Sequence, residues 1–252
     1  RRSKCGVRSR VATMTTAYAQ DPTALITGAN RGIGLELARQ YAARGWHVIA
    51  TARQPAQAVA LLEIAAAHPW LVIEPLDVTD AAAVAALAAK YRGVPIDLLI
   101  NNAGITGPRG QALGRLDYDA CRSVFETNTI APLRIAEAFL PGVAASTQKK
   151  IVAISSSEAS ITQVNSPRAY WYRSSKAALN MLMRNLAFDV KARGVTVALL
   201  NPGPVDTDMM KGVQMPLQRP ADAVAKLIAI IERLEPANTG RFWDHQGGEL
   251  PW

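Results

Sequence analysis

From residue 23 onward, short apolar runs of four to seven residues alternate with longer stretches of helical periodicity, and that alternation leaves few folds open. Runs at 23–27, 47–51, 70–76, 97–100, 150–155, 195–200 and 240–243 read as strands. Between them, 32–44, a segment ending near Ala67, a segment opening after the cap-like Thr79-Asp80, 117–139, 168–193 and 220–234 read as helices, the first closed by Gly45. Strands joined by helical crossovers build a parallel sheet covered on both faces, with right-handed connections. The expected architecture is a doubly wound α/β fold. Such a sheet binds ligands beyond the carboxyl ends of its strands, where the strand order reverses. Chemistry is therefore sought at the strand ends.

The 252 residues suffice for one large domain, and 49% apolar with 19% charged residues suits a globular chain that buries a sizeable core. No apolar run approaches the ~18 residues a bilayer span requires, so no membrane association is expected. The net charge of +8 invites a nucleic-acid reading. Arg1, Arg2, Lys4, Arg8 and Arg10 supply five positive charges before the first acid, Asp21, which leaves only +3 for the rest. No basic stripe marks the body of the chain, and a nucleic-acid partner is not expected. Residues 1–20 are set apart as a disordered or non-native extension, with Met14 a candidate start. Their Arg- and Ser-rich, acid-poor composition also matches an organellar transit peptide, but a cytoplasmic location is the expectation. Cys5 and Cys121 fit no disulfide framework, and His47, His68 and His245 lie near no other ligand, so no metal site is expected.

The first strand runs into Thr27-Gly28-Ala29-Asn30-Arg31-Gly32-Ile33-Gly34 and then a helix. Glycines there permit a tight turn and close approach of backbone to a pyrophosphate, whose charge meets the N–H groups of the helix start. The context of strand, glycine loop and helix is that of a nucleotide site. At the end of the second strand an acid would bind the ribose 2′-hydroxyl of NAD, whereas an arginine accommodates the 2′-phosphate of NADP. The chain has Arg53 there, no acid, and a second arginine, Arg31, in the loop. NADP(H) is favoured over NAD(H).

Tyr172 and Lys176 stand four apart in a helical segment, on one face. A free phenol titrates near pH ~10, and a neighbouring ammonium is expected to draw it toward the working range. Tyr172 is then an acid or base and Lys176 its tuner.

Together with Leu76-Asp77-Val78 and Asn101-Asn102-Ala103-Gly104 at the third and fourth strand ends, these motifs closely resemble the short-chain dehydrogenase/reductase family, in order over residues 23 to about 207. The resemblance implies one Rossmann-type domain over 21–252, with a mostly parallel seven-stranded sheet and a substrate lid near 204–219. It places Asp77 against the adenine, with Asn101 and Ala103 lining the nucleotide and Val78 and Gly104 in the same cofactor set. Gly28, Asn30, Arg31, Gly32, Ile33, Gly34 and Arg53 complete the cofactor set, and Lys176 also holds the nicotinamide ribose. Pro202 and Gly203 belong to the segment that closes over the nicotinamide, from which Val205 and Thr207 reach its carboxamide. Asn128 corresponds to the asparagine of the proton relay. The catalytic serine falls among Ser155, Ser156 and Ser157; strand alternation sets Ser156 apart and the family pattern picks it, with Ser157 and then Ser155 as alternatives.

Tyr170 to Asn180 and the ending from Gly240 to Trp252 look most like the sniffer-type carbonyl reductases and the bacterial C-signal factors. The resemblance implies reversible reduction of a ketone or aldehyde by NADPH, with Tyr172 as proton donor, in a homodimer or homotetramer formed through the two long helices. The alternative is an NADP(H)-binding signalling or regulatory protein of the C-signal type with little catalysis. A sugar-nucleotide epimerase is disfavoured by the short chain and the glycine spacing.

Overall fold

The computed structural model describes residues 21–252; the basic segment 1–20, with Cys5, lies outside the described residues. Seven strands form one sheet: β1 (Thr23–Ile26), β2 (His47–Ala52), β3 (Leu71–Pro75), β4 (Leu98–Asn101), β5 (Lys150–Ile154), β6 (Thr196–Asn201) and β7 (Arg241–Asp244). Their order is β3-β2-β1-β4-β5-β6-β7, every pair is parallel, and the order reverses between β1 and β4. The sheet is thus wholly rather than mostly parallel. Among the described residues, no helix is long and apolar enough to cross a membrane.

The crossovers contain α1 (Gly32–Ala43), α2 (Val59–Ala67), α3 (Ala81–Lys90), α4 (Tyr118–Phe125), α5 (Ala131–Ala145), α6 (Tyr170–Asp189) and α7 (Pro220–Glu232). Side chains alternate faces along each strand, which divides the core in two. Leu25, Ile49, Leu99, Ile151, Val197 and Leu199 pack with α3, α5 and α6. Ala24, Ile26, Val48, Ile100, Val152 and Leu200 pack with α1, α2 and α7. Strands buried on both faces read as unbroken apolar runs, which is why the sequence pattern was strong. Asp80 caps α3, its side chain accepting from the N–H groups of Ala82 and Ala83.

The helix expected over 117–139 is a composite. Its two α segments are joined by a π turn at Glu126–Ile130, and the second segment runs on to Ala145. Pro132 explains the widening: its ring lacks an N–H and clashes with the carbonyl four residues back, which a regular α turn cannot accommodate. In the wider turn Ala131 N–H donates to the carbonyl of Glu126. π turns of this kind concentrate at functional sites. The helix expected over 168–193 begins at Tyr170, after Ala169 in the left-handed region (φ 47°), and its last turn is a separate 3₁₀ turn, Lys191–Arg193.

Candidate active site

The glycine loop lies across the β1/β4 reversal. Thr27 Oγ1 accepts from the N–H groups of Asn102 (3.0 Å) and Ala103 (3.1 Å), and Asn102 Nδ2 donates to the carbonyls of Thr27 (2.9 Å) and Gly28 (3.0 Å). These bonds lash the ends of β1 and β4 together. Gly28 is left-handed (φ 65°), and a Cβ there would sit 3.0 Å from the Ala103 Cα. A Cβ at Gly34 would collide with the Gly28 carbonyl oxygen and the Asn102 amide. Gly32 is also left-handed (φ 56°) and faces Thr207, whose Cγ2 would be 3.2 Å from an added Cβ. The first turn of α1 has no side-chain cap, so its N–H groups are free to meet an anion.

Asn30, Arg31 and Arg53 are exposed around this loop, and Ile33 is half-buried. Arg31 pairs with Asp208 at 3.1 Å, which connects the glycine loop to the 204–219 loop. Asp77 accepts from the Thr79 hydroxyl (2.7 Å) and N–H (2.9 Å). Those bonds hold its carboxyl below the usual carboxylate range, and the Arg53 charge adds to the effect. Val78 is buried in the core beside it. Asn101 turns its amide inward, donating to the Pro132 carbonyl at 3.1 Å. The neighbouring Asn102, to which the sequence reading gave no role, makes the bonds that shape the loop.

On the other side of the reversal, the π turn delivers Asn128 to a buried position. Its Oδ1 accepts from Ile105 N–H (2.9 Å), and its Nδ2 donates to the Ile105 carbonyl (2.8 Å) and Ser175 Oγ (3.0 Å). Ser175 Oγ donates to the Tyr172 carbonyl at 2.8 Å, so one buried hydroxyl connects Asn128 to the tyrosine's turn. Ser175 was also missed; its only signal in the sequence is its place beside Lys176. Gly104 completes this corner: a Cβ there would lie 3.3 Å from Asn128 Oδ1 and 3.6 Å from Lys176 Nζ.

Lys176 is buried and donates to the Ile154 carbonyl at 2.7 Å, with its Nζ 5.9 Å from the Tyr172 ring centroid. Desolvation lowers its pKa to about 8. Tyr172 departs from expectation: its pKa is raised, not lowered. Burial of the phenol dominates, the Glu158 carboxylate adds to it, and hydrogen bonding with the Ser156 side chain opposes both. The three serines separate clearly. Ser155 is buried and donates to Asn180 Oδ1 at 2.6 Å, while Ser157 donates its N–H to Asn201 Oδ1 at 3.0 Å. Ser156 is the one whose side chain meets Tyr172.

Past β6, Pro202 is buried and Gly203 is left-handed (φ 70°) against Gln218 and His245. Val205 is buried and pairs with Gln218, while Asp206 N–H donates to the Gln218 carbonyl (2.9 Å) and Gln218 N–H to that of Pro204 (2.8 Å). The lid expected near 204–219 is therefore a loop with a closed neck. Its tip forms a 3₁₀ turn, Asp208–Met210. Arg109 donates to the carbonyls of Lys211 (2.5 Å) and Met209 (2.7 Å) and so adds a second arginine to Arg31 in holding the tip.

The description short chain dehydrogenase belongs to the family model that matches residues 22–217. The chain is 40% identical over 158 residues to C-signal of Myxococcus xanthus, covering 63% of this chain and 93% of that protein. It superposes on the NADPH bound carbonyl reductase from chicken fatty liver with a TM-score of 0.86 and 35% identity, covering 92% of this chain and 99% of that one. The carbonyl reductase Sniffer of D. melanogaster gives a TM-score of 0.84 at 29% identity, covering 92% of this chain and all (100%) of that one.

Proposed function

We propose that this chain, which belongs to the short-chain dehydrogenase/reductase family, is an NADPH-dependent reductase that converts an aldehyde or ketone to its alcohol. The observation that carries the reading is the convergence of Ser156, Tyr172 and Lys176, with Asn128 bonded behind them, beside a glycine loop flanked by exposed arginines. Gly28, Gly32 and Gly34 form a cradle that side chains would fill, which fits a dinucleotide, and Arg31 and Arg53 suit a 2′-phosphate. The bound cofactor supplies the hydride. The likeness to a carbonyl reductase crystallised with NADPH supports the same choice.

Ser156 hydrogen-bonds the carbonyl oxygen of the substrate and fixes it beside the Tyr172 hydroxyl. As negative charge develops on that oxygen, Tyr172 donates its proton. The raised pKa keeps the phenol protonated at neutral pH, which is the state a donor needs. Lys176 supplies positive charge next to the departing proton, and Asn128 with Ser175 fixes the turn that carries both residues. The direction favoured by this electrostatic setting is reduction.

The test is oxidation of NADPH and NADH, measured side by side against aldehydes, ketones and quinones. Faster oxidation of NADPH with at least one carbonyl class is expected; no carbonyl-dependent oxidation of either cofactor would overturn the reading. The likeness to C-signal favours a second reading, an NADP(H)-binding regulatory protein with little catalysis. It predicts NADPH binding in the same assay with no turnover. Assembly as a homodimer or homotetramer through α4–α5 and α6, in the cytoplasm, belongs to the first reading.

A further inference from the structure

Next in the chain to Ser156 and Tyr172, the β5–α6 loop lines an open pocket of about 430 Å³ whose wall includes Ser157, Glu158, Gln163, Asn165, Arg168 and Arg173. Ser157 follows Ser156, Arg173 follows Tyr172, and the Glu158 N–H donates to Ser156 Oγ at 3.2 Å. The pocket is therefore joined along the chain to Ser156 and Tyr172, and by one hydrogen bond to Ser156. Its wall is mostly polar and ionic, with Val164 its one apolar side chain. Glu158 faces two guanidiniums, Arg168 Nη2 at 2.7 Å and Arg173 Nε. Burial pulls the Glu158 pKa upward, but hydrogen bonds from Arg168 and Arg173 outweigh it and the carboxyl stays ionised. One carboxylate against two guanidiniums leaves one unit of positive charge.

The two arginines differ in what they have left to offer. Arg173 is 12% exposed, and its Nη1 donates to the Ser166 carbonyl at 2.6 Å, so it braces the loop. Arg168 is 58% exposed, its Nε and Nη2 point to Glu158, and among the described residues its Nη1 has no hydrogen-bond partner. Ala169, directly after it, holds a left-handed conformation (φ 47°) that a non-glycine residue adopts only at a cost. The surplus charge of the pocket therefore sits on a guanidinium with an open edge.

Resting on the carbonyl-reductase reading, we infer that this pocket binds a carboxylate carried by the substrate, and that Arg168 is the residue that selects for it. A guanidinium matches a carboxylate in two parallel hydrogen bonds, and the amides of Gln163 and Asn165 stand on the same wall as further donors. A neutral apolar tail in that space would leave these polar groups unpaired, so discrimination works against it as well as for the anion.

The probes are 4-formylbenzoate and its neutral counterpart 4-formylbenzamide as substrates, with terephthalate as a non-reacting ligand followed by calorimetry on the NADPH-loaded protein. The wild type is expected to prefer the carboxylate in kcat/KM by roughly tenfold, the scale of one charge-assisted hydrogen bond. Arg168→Gln should abolish that preference and weaken terephthalate binding while leaving turnover of the amide unchanged; Arg168→Lys should retain part of it. Equal use of both aldehydes by the wild type, or an undiminished preference in Arg168→Gln, overturns the inference and leaves the reductase reading standing. If neither aldehyde is reduced but terephthalate binds and Arg168→Gln weakens it, the anion site stands, and the reductase reading is decided separately by the panel of aldehydes, ketones and quinones. If terephthalate does not bind, the anion site falls.

Discussion

At the ends of β1 and β2 the candidate site is made of backbone; at β5 and α6 it is made of side chains that hold one another. Gly28, Gly32 and Gly34 act through what they lack, and Thr27 with Asn102 fixes their path by bonds to main-chain atoms. Asn128, Ser175 and Lys176, all buried, instead form with the half-buried Tyr172 a chain of polar groups drawn from the π turn and one face of α6. A backbone cradle tolerates no added volume, whereas a buried polar chain tolerates no lost partner. The two halves should therefore fail differently.

The largest expected effect lies in the side-chain half. Lys176→Met should lower kcat roughly 10²–10³-fold, the scale for removing one preorganised charge from a reacting centre, without loss of NADPH-loop integrity. It should also change stability in a pH-dependent way. Below pH about 8 the wild type carries the full cost of a buried ammonium; between about 8 and 10.5 the folded state gives up the proton that the unfolded state keeps, so wild-type stability rises with pH. The stability difference between Lys176→Met and wild type should be largest below pH about 8 and shrink above it, as denaturant midpoints across that range would show. The same titration sets the alkaline limb of reduction near pH 8, because Tyr172, with its raised pKa, stays protonated there. A limb above pH ~10 would assign it to a free phenol instead.

Gly34→Ala probes the backbone half. The new methyl meets the Gly28 carbonyl and the Asn102 amide, neither of which can withdraw without opening the loop. A loss of about 1–3 kcal/mol in stability is expected, together with loss of NADPH binding, measured by thermal denaturation and cofactor fluorescence. Smaller still, Arg53→Ala and Arg31→Ala should each raise the KM for NADPH about tenfold, one charge-assisted hydrogen bond's worth, and leave that for NADH unchanged. Ser175→Ala should cost about 1 kcal/mol, from the unpaired Asn128 amide, and lower kcat only a few-fold. If Ser175→Ala instead matched Lys176→Met, the buried chain would be a single proton path rather than a scaffold.

The contrast also explains what could be read from the sequence. The glycine loop and the apolar strands were legible because each is encoded locally, by positive-φ residues or by unbroken apolar runs. The pair Tyr172 and Lys176 was legible because a helix brings positions four apart together. Choosing among Ser155, Ser156 and Ser157 was harder, since it depends on Asn180, Asn201 and Tyr172 approaching from other elements. The π turn was hidden behind a helical pattern, although Pro132 marked the place. The direction of the Tyr172 shift was misread because a sequence shows the lysine and not the burial, nor the Glu158 carboxylate whose charge opposes ionisation of the phenol.

The proton-donor role proposed for Tyr172 in an NADPH-dependent carbonyl reduction is open to one decisive measurement. Its most direct test is turnover by Tyr172→Phe, with NADPH affinity measured on the same protein by fluorescence titration. Intact NADPH binding is expected, with kcat lower by roughly 10²–10⁴-fold, the range of general acid catalysis. Near-normal turnover with intact NADPH binding would contradict it.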